Sequence, residues 1–407
     1  MKVISFLGLG RYETTTYVWQ DQEYATRFFP TAVVRFLRPE SVFICATPEV
    51  QDHQHLRDLR RELEIAGTPI EVLPLPRGHS EAELWTIFEA LTAAVHEGET
   101  VVFDITHSFR SLPILAFLAV AYLKVAKEVR VERVLYGAYE ARDQVTNRTP
   151  VFDLTPFLGL LDWLTATDQF VQTGDARRLA TLLNPNGVGE AARAASALSR
   201  VSLAALLCQP RTLMREARTL DAFLRKAETE LRQIARPFSV LRERISTTFG
   251  KFATDARHTE DALRAQFHLV QWYAANRQLI QAMTLAREWL IDAVTWRLGE
   301  PVVYQDEARR MMEWAVSGVA KVGKRDKTLQ RVFEVTDLNE WGLVIHSQWE
   351  ERDELTRLWN VLRKVRNSLS HAEHQQDRMR LHRLKAKTNE TIMPALLALA
   401  QRWKLAE

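Results

Sequence analysis

The first 155 residues repeat one pattern: short apolar runs rich in β-branched residues, each followed by a turn and then by a longer stretch with helical spacing. Lys2 to Leu7, Ser41 to Ala46, Ile70 to Leu75, Val101 to Ile105 and Val131 to Tyr139 are the runs, and they read as strands buried on both faces of a sheet. Between them, Pro30 opens one helix, Thr47 and Pro48 start a second that Gly67 closes, and Ser80 with Glu83 makes a capping box for a third that reaches Glu97. A fourth helix begins at Leu112, with Pro113 in the first turn, where a missing N–H does no harm. Tyr17 to Gln20 and Glu23 to Phe28 predict a β-hairpin inserted before the first helix, and Val151 to Asp153 predicts an edge strand. Strands and helices alternating at this spacing predict a doubly wound parallel sheet.

From Thr155 onward the strand pattern stops. Thr155 to Gln172 is an amphipathic helix carrying Trp163 and Phe170, and segments near 190–234, 256–275, 278–298, 303–317, 349–370 and 377–404 keep a helical period with charge on one face. The strongest break in the chain is Asn184-Pro185-Asn186-Gly187-Val188-Gly189. The expected fold class is therefore α/β plus all-α, and 407 residues are enough for two or three domains.

Composition changes this picture little. A formal charge of +3 supplies no global field for nucleic acid, so any such binding must come from local patches. Cys45 and Cys208 lie far apart and have no metal or redox spacing, and no export signal is evident, which predicts a reduced cytoplasmic setting. The most apolar stretch, Leu112 to Leu123, is roughly half the length that crosses a bilayer.

Two places carry candidate chemistry. In the first, the strand ending at Ile105 breaks into Asp104, Thr106, His107, Ser108, Arg110 and Ser111 just before the helix at Leu112. A strand, a polar turn and a helix N-terminus form the kind of junction where an open α/β sheet holds an anionic ligand. The same residues would also suit an ordinary capped loop. If the sheet has its usual switch point, this turn faces the loop after the first strand, with Gly8, Gly10, Thr14 and Thr15. In the second, Arg366, Asn367 and His371 stand late in a helix, and His371 is the only one of 11 histidines with an Arg five to seven residues before it. Asn367 and His371 share a face, whereas Arg366 lies about 140° around from His371 and about 7 Å along the axis. One helix cannot aim both groups at one atom; two copies packed antiparallel across a two-fold axis can. Without a partner, the pattern is a solvated helix end. His53 and His55 read as solvated, and Glu288 as a candidate support for Arg366. His371 and His374 are a weak zinc spacing that lacks further ligands, so no metal site is expected.

Asp104-Ile105-Thr106-His107-Ser108 resembles the Asp-x-Thr-His-Gly signature of CRISPR-associated Rossmann-fold (CARF) sensor domains, in the branch fused to HEPN ribonucleases of type III systems. Ser108 stands where that signature has glycine. Arg366 to His371 resembles the Arg-x4-6-His motif of HEPN nucleases. The resemblance implies a Rossmann-like CARF ligand-sensing domain at 1–155, a helical connector at 156–235 and a HEPN ribonuclease domain at 236–407. It implies a homodimeric, cyclic oligoadenylate-activated endoribonuclease of antiviral defence. That enzyme cleaves single-stranded RNA by 2′-OH attack, with no catalytic cofactor or metal and no membrane partner. Cyclic tetra-adenylate is the expected activator. On this reading Gly8, Gly10, Thr14, Thr15, Asp104, Thr106, His107, Ser108 and Arg110 bind the ring, and Arg366, Asn367 and His371 are catalytic. Ring cleavage by the sensor itself, with Thr14, Thr106 and His107 as the groups concerned, stays open. So does assembly beyond a dimer. The alternative is a non-catalytic, nucleotide-responsive regulator or adaptor with the same sensor.

Overall fold

The computed structural model describes residues 1–107, 112–184, 187–231, 238–254, 259–301, 306–318, 338–370 and 379–407. The chain divides into two compact units, Met1–Asp162 and Trp163–Glu407.

In the first unit the strands are β1 (Lys2–Phe6), β2 (Thr15–Trp19), β3 (Gln22–Thr26), β4 (Ser41–Ala46), β5 (Ile70–Pro74), β6 (Thr100–Asp104), β7 (Arg130–Gly137) and β8 (Arg148–Asp153). Among the described residues they form one sheet in the order β3-β2-β8-β7-β6-β1-β4-β5. The helices are α1 (Phe29–Leu37), α2 (Pro48–Gln51), α3 (Gln54–Ile65), α4 (Glu81–Ala93) and α5 (Leu112–Ala126). Side chains alternate between two apolar layers, as a pleated strand requires. Val3, Ile44 and Val102 point to one layer with Phe28, Phe29, Val33 and Leu59. Ile4, Cys45, Val101 and Phe103 point to the other with Ile87, Leu91, Ala116 and Val120. Both faces are covered, which is why these strands are continuously apolar.

β1 pairs in parallel with β4 on one side and β6 on the other, so the strand order reverses between β1 and β6. The loops leaving the carboxyl ends of these two strands are the expected ligand loops, and the sheet brings them together.

The expected parallel sheet is present in β5-β4-β1-β6-β7 and in β2-β8, with antiparallel pairs at β7–β8 and at the expected β2–β3 hairpin. Two expectations need correction. β8 is not an edge strand: β2 adds to it in parallel, Thr16 opposite Arg148 and Val18 opposite Pro150, and β3 forms the edge. Pro150, which has no N–H to give, marks an edge in sequence; here its carbonyl accepts from Ala138 N–H at 3.0 Å while β2 lies on the other side. The helix expected from Pro48 to Gly67 is two helices, broken where His53 turns extended and caps α3, its Nδ1 accepting from His55 N–H at 3.1 Å.

The second unit is helical. After α6 (Thr155–Thr173), which starts in the first unit, come α7 (Arg177–Leu183), α8 (Gly189–Leu206), α9 (Pro210–Leu231), α10 (Phe238–Gly250), α11 (Glu260–Ala275) and α12 (Leu279–Arg297). α13 (Asp306–Ser317), α14 (Glu340–Gln348), α15 (Arg352–Ser370), α16 (Leu381–Ala386), a π-helical turn at Lys387–Ile392 and α17 (Met393–Arg402) follow. Their apolar faces share one core in which Trp289 and Trp359 are fully buried. The break at 184–189 is no boundary between the two units, since Leu179 and Leu183 before it and Ala194 and Leu198 after it enter the same core. The segment 190–234 is divided at Cys208, whose φ of 53° ends α8 before Pro210 opens α9. No helix among the described residues is long and apolar enough to cross a membrane.

Candidate functional site

The first site is built on the switch point of the sheet. Asp104 ends β6 fully buried, and its carboxylate accepts from Ser5 O–H of β1 at 2.5 Å and from Thr106 N–H at 2.9 Å. These two bonds tie the tip of one ligand strand to the other and fix the turn that follows. Burial outweighs them and pushes the Asp104 carboxyl up to about 6. Thr106 Oγ1 accepts from Gly137 N–H of β7 at 2.8 Å, which anchors the turn to the next strand. Gly137 is required there by space: a Cβ would lie 2.8 Å from the Tyr17 ring and 2.9 Å from the Phe29 ring.

His107 folds over the turn onto Tyr12, the rings 4.5 Å apart at 69°. Its Nε2 accepts from Phe29 N–H at 3.3 Å, so the neutral ring carries its proton on Nδ1. Enclosure, with a smaller contribution from His55, lowers the His107 pKa to about 3. At neutral pH this ring is a hydrogen-bond donor through Nδ1 and is poorly suited to move protons. The Tyr12 hydroxyl oxygen accepts from Gly8 N–H at 2.8 Å, and burial raises the Tyr12 pKa to about 12. The loop after β1 is closed from the other side by His55, whose ring lies 4.9 Å from Tyr12 and whose Nε2 is 3.1 Å from the Gly10 carbonyl.

The structure thus brings Gly8, Gly10, Thr106 and His107 together above Asp104. Neither Gly8 nor Gly10 needs a left-handed backbone, and a Cβ on Gly10 would meet nothing within 4 Å. Thr15 is not on this floor. It is buried in β2, its hydroxyl 2.7 Å from that of Thr149 and donating to the Asn147 carbonyl at 3.0 Å. Thr14 is exposed, and its carbonyl accepts from the Asn147 amide at 3.1 Å. Ser108 and Arg110 lie outside the described residues.

Sequence reasoning missed several members of this site. Tyr12 and His55 close the loop, and His55 is not the freely solvated side chain expected. Beside Thr14, an exposed polar cluster joins the β1–β2 loop to the β7–β8 connection: Tyr139 O–H donates to Glu13 at 2.7 Å, Arg142 lies 3.7 Å from Glu13 and 4.4 Å from the Tyr139 ring centroid. The Tyr139 hydroxyl and Arg11 hold the Glu13 carboxyl below its ordinary range. Asn147, with φ of 54°, bonds to both loops and to Arg142 at 3.3 Å. The only local signal was the run of hydroxyl and charged residues at 11–16.

The second candidate site lies on α15, whose Leu355, Leu358, Trp359, Leu362 and Val365 form one buried stripe. Arg366 and Asn367 follow at the edge of that stripe, both half-buried. Arg366 Nη1 donates to Asn367 Oδ1 at 3.4 Å, and among the described residues its buried Nε has no hydrogen-bond partner. His371 lies outside the described residues. Glu288 does not support Arg366: its carboxylate is held by Arg287 at 2.5 Å and by Arg309, which also bonds Asp292 at 3.0 Å. Among the described residues no group of His, Cys, Asp and Glu is arranged to hold a metal ion.

Residues 2–140, which contain Gly8, Tyr12, His55, Asp104, Thr106 and His107, match the family model of the CARF domain of the CRISPR system endoribonuclease Csx1. The chain carries a CARF-like domain. Residues 159–258, behind it, match the model of the second domain of the CRISPR-associated protein MJ1674. The MJ1674 protein of Methanocaldococcus jannaschii is 22% identical to this chain over 303 residues, which are 73% of the chain and 41% of that relative's length. A solved structure of Enterococcus italicus Csm6 bound to cyclic hexa-2′-fluoro-hexa-dAMP aligns with a TM-score of 0.41 at 11% identity, covering 98% of this chain and 94% of that one.

Proposed function

We propose that this protein is a cyclic oligoadenylate-activated endoribonuclease of type III CRISPR defence, which cleaves single-stranded RNA without a metal ion. The observation that carries the reading is the cluster at the switch point of the CARF-like domain, where Gly8, Thr106 and His107 stand on a buried Asp104. In this reading Thr106 and the neutral His107 are hydrogen-bond donors to the ring ligand, Arg110 and loop N–H groups meet its phosphates, and Ser108 and Thr14 add hydroxyls. Asp104 and Thr15 act from beneath by holding the loops. With its low pKa His107 is a recognition residue, which favours a binding role for the sensor over ring cleavage.

A homodimer fits an apolar stripe that the first unit leaves exposed. Ile114, Leu118, Tyr122 and Val125 follow one side of α5 at helical spacing and are 51 to 75% exposed, beside Trp85 of α4. α5 begins directly after the switch-point loop, so two copies paired along it would set two ligand loops side by side. Cleavage would use His371 for proton transfer, the Arg366 guanidinium for the charge growing on the phosphorane, and Asn367 to orient them, with one set from each protomer. Domain limits of 1–155, 156–235 and 236–407 accompany this reading.

The test is cleavage of labelled single-stranded RNA with and without cyclic tetra-adenylate, in EDTA. Activation by the ring is expected, and equal rates in both conditions refute the switch. H371A and R366A are expected to abolish cleavage with ring affinity retained; wild-type turnover in either refutes the catalytic assignment.

A further inference from the structure

The helical unit holds an open groove of about 790 Å³ between the turn joining α11 to α12 and the α16–π segment, with Arg277, Gln271, Lys385, Asn389, Met393 and Leu381 on its walls. Its polar wall groups are cationic or neutral, and no carboxylate is among them. The segment that forms one side, Arg380 to Lys387, carries Arg380, Arg383, Lys385 and Lys387 with no acidic residue between them. Of these only Lys385 lines the groove, with Arg277 across it, and neither makes an ion pair among the described residues. Other surface arginines of the helical unit, such as Arg200, Arg225 and Arg264, are instead held in salt bridges. Arg277 also occupies a left-handed backbone position (φ 59°) that glycine would fill with less strain. Leu381, 76% exposed, gives the groove an apolar platform together with Leu279 and Met393.

Two contacts place this segment beside the candidate catalytic helix. Met379 N–H donates to Ser368 Oγ at 3.1 Å, which ties the start of the basic segment to the last turn of α15, one residue after Asn367. The π turn packs on α15 as well. From this geometry we infer that the groove is the track for the sugar–phosphate backbone of single-stranded RNA, leading the chain to Arg366 and Asn367. The inference rests on the nuclease reading above and names the surface that holds its substrate. Arg277 and Lys385, without an ion pair among the described residues, fit phosphates, and the apolar side chains beside them fit the face of a base without selecting its sequence.

The experiment uses the full chain and a 2′-O-methylated single-stranded RNA, which lacks the internal nucleophile and so reports binding alone. Fluorescence anisotropy is followed across a salt series for wild type, for R277G/K385Q, and for R60Q/R61Q, which removes the same charge from exposed positions of α3. If both cations contact phosphate, R277G/K385Q lowers the slope of log K against log salt by about 1.4 and weakens binding about tenfold at low salt. R60Q/R61Q is expected to leave both unchanged, and circular dichroism melts confirm that all three proteins are folded. Wild-type affinity in R277G/K385Q overturns the groove while leaving the nuclease reading intact, because unmodified RNA is still cleaved. An equal loss in R60Q/R61Q also overturns it, by showing a net-charge effect. A wild-type chain that neither binds nor cuts RNA overturns the nuclease reading itself.

Discussion

Asp104→Asn tests the claim that the ligand loops stand on a buried carboxylate whose charge the fold tolerates poorly. Asparagine keeps the shape: its carbonyl can accept from Thr106 N–H, and its amide can donate to the Ser5 hydroxyl once that hydroxyl rotates. What disappears is the cost of ionising a fully buried group. The carboxyl moves from its ordinary 3.8 to about 6 on folding, so between these values the folded state binds a proton that the unfolded chain has released. Stability must therefore fall as pH rises through that window, by roughly 1.4 kcal/mol per pH unit and about 3 kcal/mol in all. Between about pH 4.5 and 7.5 the wild type should lose about 2 kcal/mol relative to the variant. Surface carboxylates such as Glu13 and Asp143 carry the opposite slope but cancel in the difference between the two proteins. Urea unfolding read by hydrogen exchange on β1 and β6 peptides isolates the first unit. A flat difference across that range, or a wild type that gains on the variant as pH rises, refutes the reasoning.

Gly137→Ala forces a methyl into the 2.8 Å gap against Tyr17 and Phe29; a cost of about 2 kcal/mol and a melting temperature lower by roughly 4–8 °C for the first unit are expected by calorimetry. Glu351→Ala should cost the helical unit about 2–3 kcal/mol in urea unfolding, because it strips the partner from the Trp403 indole N–H (2.7 Å) and from half-exposed Arg297. L118E/Y122E should convert a dimer to a monomer in sedimentation velocity, with cleavage lost in parallel; an unchanged sedimentation coefficient rules out α5 as the dimer face.

Sequence alone determined what depends on neighbours along the chain. The existence and type of most strands and helices, the Ser80 cap on Glu83 N–H and the alternation of Val101, Val102 and Phe103 between two layers all follow from spacing within a few residues. So does the adjacency of β1 and β6, because the alternation of strands and helices restricts how the sheet is wound. Only the tertiary structure decided the rest. A strand's neighbours are chosen by pairings over long sequence distances, which is how β8, with just three apolar-looking residues, came to lie inside the sheet between β7 and β2. The rings of Tyr12 and His107 come from two separate loops and that of His55 from the first turn of α3, and none of these segments reveals in its own sequence that it will pack on the other two. Periodicity records which face of an element is apolar, whereas the partner that covers that face is set by the closure of the whole sheet and the packing of the helices upon it.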